Sequence, residues 1–192
     1  MFYSKFIFKF IVSCLLVLIG ISFLQTLLNS STASILNRKI LEDLIQNEIN
    51  FELIDLSERK IYFIDSLAFA GLKNLKYLRL ESNYLEYLEL GTFDDLNNLE
   101  ILFLFNNRLK NIHPATFSNL IKLKYLNLNG NQLFSIDSTT FFGLTNLIDL
   151  NLGLNFLSQI DPNTFNGLVK LQSLYLYSNQ LNIIYQVIGL FM

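Results

Sequence analysis

From residue 51 onward one arrangement of apolar and polar positions recurs every 24 residues. Asparagine marks the period, at Asn83, Asn107, Asn131, Asn155 and Asn179. Three leucines precede each one at fixed offsets, as Leu99, Leu102 and Leu104 precede Asn107. An aliphatic residue follows two positions on (Leu85, Leu109, Leu133, Leu157, Leu181) and another three beyond that (Leu88, Ile112, Ile136, Ile160, Ile184). Phe93, Phe117, Phe141 and Phe165 complete the pattern LxxLxLxxNxLxxIxxxxFxxLxx. A worn copy comes first, with Phe51, Ile54, Leu56, Ile61, Ile64, Phe69 and Leu72 at the same offsets and Arg59 in the asparagine position.

Each column has a physical task. Leucine at alternate positions is the period of a strand with one buried face. A single repeat cannot cover that face, so successive repeats must stack and pair their strands in parallel. The asparagine ends each strand at a tight turn, where its short amide can bond backbone groups that the turn leaves open. At one per period, the asparagines are expected to form a ladder. The phenylalanines are expected to form a second apolar spine on the opposite side. On this reading Phe117→Ala costs about 3–5 kcal/mol and Asn131→Ala about 1–3 kcal/mol.

This pattern resembles the 24-residue class of leucine-rich repeats found in extracellular proteins and receptor ectodomains, over residues 51–188. The resemblance implies an α/β solenoid with a curved parallel sheet on its concave face and loops or short helical turns on its convex face. Strand residues that do not point inward then line the concave face. Tyr77, Arg79, Phe103, Phe105, Tyr125, Asn127, Tyr175 and Tyr177 are the expected ligand-binding residues there. Aromatics and arginine are enriched at interfaces, although tyrosine and phenylalanine also suit an exposed strand for its own sake. Six strands span about 24 Å, enough for a loop, helix or peptide.

The ends depart from the repeat. Residues 1–33 form a leader in which Lys5 and Lys9 precede an apolar stretch, residues 10–28. As a helix that stretch spans roughly 28 Å, close to the hydrocarbon thickness of a bilayer. A basic start and small residues at Ser31 and Ala33 suit a cleaved secretory signal, whereas the length of the run suits an uncleaved membrane anchor. Both readings place the repeats across a membrane, so the protein is expected to be secreted or held at the cell surface. Residues 34–50 are expected to cap the repeats with an amphipathic helix, Leu36, Ile40, Leu44 and Ile45 on one face and Ser34 as its N-cap. Residues 51–192 hold about six repeats, the last broken after Ile184, with Gly189 in the phenylalanine column. An apolar stop in mid-repeat is expected of a truncated chain or of an end covered by a partner, because solenoids need a polar terminal cap.

Composition narrows the chemistry. A net charge of −2 argues against a nucleic-acid partner. One cysteine, Cys14, and one histidine, His113, cannot build a four-ligand zinc site or an internal disulfide. His113 has no serine, cysteine or acid at motif spacing and is expected at the surface; Asp137 and Asp161 recur at the period and are expected to be structural. No glycine-rich phosphate loop occurs, and the sequon Asn29-Ser30-Ser31 would leave with a cleaved signal. The expectation is a protein without enzymatic activity, metal or cofactor that recognises another protein. The alternative is a structural repeat segment with no ligand of its own.

Overall fold

The computed structural model describes residues 34–45 and 52–181. The apolar segment 10–28 and the chain after Leu181 lie outside the described residues. Among those described, no helix is long and apolar enough to cross a membrane.

Six short strands form one parallel sheet: β2 (Leu53–Asp55), β4 (Tyr77–Arg79), β5 (Ile101–Phe103), β6 (Tyr125–Asn127), β7 (Asp149–Asn151) and β8 (Ser173–Tyr175). Their register follows the sequence period, so Leu78 faces Leu102, Leu102 faces Leu126 and Leu126 faces Leu150. The central leucine of each pair is buried while its flanking residues look outward. Backbone bonds continue past the strands, Leu104 N–H to Asn127 C=O and Asn106 N–H to Asn129 C=O, and so on from repeat to repeat.

The chain then leaves the sheet through a left-handed residue. Glu58, Ser82, Asn106, Gly130, Leu154 and Ser178 all have positive φ and sit directly before the asparagine column. Glycine favours that conformation, and among the other residues chiefly asparagine and aspartate tolerate it. Next comes the buried amide. Asn107 Nδ2 donates to Leu80 O at 2.9 Å and Leu104 O at 3.0 Å, while its Oδ1 accepts from Leu85 N at 3.1 Å. Asn83, Asn131, Asn155 and Asn179 make the equivalent three bonds. Each amide thus ties two repeats together. On the far side Phe69, Phe93, Phe117, Phe141 and Phe165 stack at 6.2–6.5 Å between ring centroids. These rings and the leucines share one core.

One column had no place in the pattern read from sequence. Thr92, Thr116, Thr140 and Thr164 precede the phenylalanines and are buried. Thr92 donates to Glu89 O at 2.8 Å. The other three hydroxyls have no hydrogen-bond partner among the described residues. Ala68 occupies the same column in the first repeat, so the position asks for a small side chain rather than a hydroxyl.

The N-terminal cap differs from the sequence expectation. Ser34 does not start the helix; Ser34–Leu36 form strand β1, parallel to β3 (Ile61–Ile64). Helix α1 (Arg38–Ile45) begins later, and Asn37 caps it through Oδ1 to Ile40 N–H at 2.9 Å. The reason lies in the worn repeat. Arg59 has no amide to offer, and the flank of β3 is paired by β1 instead, with Ser34 Oγ donating to Arg59 O at 3.0 Å. Leu36 is buried as a strand residue, and Leu41 becomes the buried anchor of the helix.

Candidate functional site

The outward residues of the sheet lie in three columns, set by strand register. The first runs Leu53, Tyr77, Ile101, Tyr125, Asp149, Ser173, and the second Asp55, Arg79, Phe103, Asn127, Asn151, Tyr175. The third follows just beyond the strands, as Ser57, Glu81, Phe105, Asn129, Gly153 and Tyr177. All eight expected ligand-binding residues fall in these columns, but they divide into different groups.

An apolar group occupies the middle. Tyr77, Ile101 and Tyr125 are cross-strand neighbours. Phe103 and Phe105 meet edge-on at 5.9 Å, a favoured aromatic geometry. Tyr125 is 41% exposed, and Phe103 and Phe105 are half-buried. None of them belongs to the core that holds the repeats together.

A charged group closes the N-terminal end. Arg79 reaches back to Asp55 at 2.8 Å and along its own strand to Glu81, with Nε to Oε1 at 2.8 Å. The bond to Glu81 holds the guanidinium pKa above its ordinary value. Glu81 is only 3% exposed, and its Oε2 has no hydrogen-bond partner among the described residues. Arg79 is therefore already committed to two carboxylates, which sequence reading could not show.

The C-terminal end is polar and partly locked. Asn127 and Asn151 each accept from the N–H two residues on, at 3.0 Å, which spends their carbonyl oxygens on the local turn. Tyr175 is 43% and Tyr177 51% exposed. Tyr177 lies across Gly153, and its Oη accepts from Asn129 Nδ2 at 2.7 Å. A Cβ at residue 153 would fall 2.6 Å from the Tyr177 ring, so glycine is what admits it. Tyr177 is thus held in place two repeats from its partner, rather than free beside Tyr175. Asp149 stands out for the opposite reason. Its carboxylate has no ion-pair or hydrogen-bond partner among the described residues, and partial burial raises its pKa.

The rim of the sheet alternates in sign. Lys76 pairs with Glu52 at 2.7 Å and Lys124 with Glu100 at 2.8 Å. Their bonds to glutamate raise both ammonium pKa values, and the Lys124 bond lowers that of Glu100. Exposed pairs of this kind add little stability.

On the convex side Asp65, Asp137 and Asp161 each accept an N–H two residues ahead at 2.8 Å, capping a turn. Asp137 also takes the Thr139 hydroxyl, and these bonds lower its pKa. His113 stands in the same column and does the same through Nδ1, at 3.2 Å from Ala115 N. No group of three or more His, Cys, Asp and Glu among the described residues is placed to hold a metal.

The comparisons with known proteins agree with this geometry. No curated protein matches the chain. The crystal structure of the APL1 leucine-rich repeat domain is similar, with a TM-score of 0.71 and 28% identity over 81% of this chain and 39% of that one. The LRIM1/APL1C complex is similar, with a TM-score of 0.68 and 28% identity over 76% of this chain and 26% of that one. The Drosophila Toll–Spatzle complex shares the fold, with a TM-score of 0.56 and 22% identity over 70% of this chain and 22% of that one. This chain therefore spans well under half the length of each. The family model described as leucine rich repeat matches residues 49–109, 100–137 and 123–181, and with the stacked strands in register the chain belongs to the leucine-rich repeat family.

Proposed function

We propose that the open face of the sheet, the concave face of this repeat architecture, binds a protein ligand outside the cell or at its surface. The observation that carries the reading is the central aromatic group. Phe103, Phe105 and Tyr125 leave apolar area exposed on a face from which the core takes nothing. An exposed apolar cluster in a soluble domain marks a contact site, and buried aromatics dominate the energetics of such contacts. The LRIM1/APL1C and Toll–Spatzle structures are complexes between proteins, which supports a protein as the ligand here. Fold by itself does not determine function, so the proposal stands on these side chains.

The test compares the full chain with the triple variant Phe103→Ala, Phe105→Ala, Tyr125→Ala in binding to a partner recovered from extracellular protein. The control is Phe142→Ala on the convex side, where the ring is 74% exposed. Binding should weaken by at least about 2 kcal/mol in the triple variant and hold in the control. Equal affinity in the triple variant refutes the proposal and moves the contact off the open face, and recovery of no partner at all refutes it in favour of a purely structural repeat segment.

A further inference from the structure

We infer that Asp149 and Tyr125 together form a subsite for a basic side chain, arginine or lysine, carried by the protein ligand. The inference rests on the proposed use of the open face and adds the chemistry of the partner.

Three observations carry it. Asp149 and Tyr125 are direct cross-strand partners in the parallel register of β6 and β7, and neighbouring strands lie about 4.8 Å apart, which sets the two side chains side by side on one face. A cation between them meets a carboxylate on one side and an aromatic surface on the other, and both attract it.

Among the described residues of the outward columns, Asp149 is also the carboxylate left without a partner. Asp55 and Glu81 share Arg79. Glu52 and Glu100 on the rim are paired with Lys76 and Lys124. Asn151, next outward on the same strand, has its carbonyl oxygen engaged by Gly153 N at 3.0 Å and Asn129 Nδ2 at 3.4 Å. On the other flank Ser173 offers no charge.

The surrounding field points the same way. The three outward columns carry Asp55, Glu81 and Asp149 against Arg79 alone, so the face is net negative around an apolar centre. A partner that sets apolar side chains on Phe103 and Phe105 and a cation on Asp149 complements it in shape and sign. Burial that raises the Asp149 pKa also means that this carboxylate opposes folding, as groups kept for binding commonly do.

The experiment uses the immobilised 192-residue chain and a phage-displayed library of random dodecapeptides as probe. Selected peptides should be rich in arginine or lysine. Their affinity should fall about ten-fold or more with Asp149→Asn and with Tyr125→Ala, a loss of about 1.4 kcal/mol each, and should weaken with added salt. Asp149→Asn should meanwhile raise the urea midpoint at neutral pH, which separates lost recognition from lost structure. Peptides that depend on Phe103 and Phe105 but carry no basic residue and ignore Asp149→Asn overturn this inference while the open-face reading stands. Peptides indifferent to every open-face substitution, or no selected binder, overturn both.

Discussion

Asn131 offers the sharpest test of how the repeats are joined. Its amide is 4% exposed. Nδ2 donates to Leu104 O and Leu128 O at 3.0 Å each, and Oδ1 accepts from Leu109 N at 3.1 Å. Replacement by alanine strands Leu109 N–H, whereas Leu104 O and Leu128 O each lose one of two donors and keep Asn107 Nδ2 and Asn155 Nδ2. A buried group left without a partner costs about 1–3 kcal/mol. The structure shows one such group, Leu109 N–H, together with two carbonyls that each lose one of their two donors, and water entering the gap recovers part of the loss. The expected cost is therefore about 1–3 kcal/mol. Asn131→Asp keeps the acceptor for Leu109 N–H but turns a carboxylate oxygen toward two carbonyls. It should lose at least as much at pH 7 and regain part in acid, when the oxygen facing those carbonyls carries a proton. Asn179→Ala provides an internal control, because Asn179 makes the same bonds while only half-buried, and should cost less. The chain has no tryptophan and 9 tyrosines, so urea unfolding is followed by tyrosine fluorescence and circular dichroism. Loss of one interface can split the transition of a repeat array, and the fit must allow for it. If Asn131→Ala stays within about 0.5 kcal/mol of the parent, the amides do not join the repeats and the accounting of buried groups is wrong.

Four further outcomes are expected. Phe117→Ala removes a ring stacked on both neighbours and should cost about 3–5 kcal/mol in the same urea assay; a loss below 1 kcal/mol would mean the spine is not packed. Thr140→Val replaces a buried, unpartnered hydroxyl with a methyl and should be neutral or stabilising, whereas a loss above about 1 kcal/mol would reveal a hidden bond. Leu154→Asn relieves a left-handed leucine that is 50% exposed and should gain up to about 1 kcal/mol, with a loss of stability counting against strain at that column. For Asp149 the sign follows from its raised pKa: the folded state holds the proton more tightly than the unfolded chain, so the penalty is present above the folded pKa and fades as pH falls through it. The stabilisation by Asp149→Asn should therefore appear at pH 7 and vanish in acid, and a gain that does not depend on pH would point to another cause.

The one-dimensional period largely determined this protein. Burial in a stacked array is a matter of offsets, and offsets are written directly in sequence. Leu78, Leu102, Leu126 and Leu150 fall opposite one another because their spacing equals the length of one turn of chain, and the asparagine and phenylalanine columns follow from the same count. The outward columns were legible for the same reason. What the tertiary structure alone decided is how those outward groups spend their bonds, because their partners come from other repeats. Arg79 is shared between Asp55 and Glu81, Tyr177 rests over Gly153 to reach Asn129, and the Asp149 carboxylate has no partner among the described residues. Residue type does not announce a left-handed Leu154 either; the chain must turn there in every repeat, whatever side chain it carries. At the N-terminus the helical pattern of residues 34–37 yielded to the flank of β3, since a strand edge beside Arg59 offers hydrogen bonds that a first helical turn cannot.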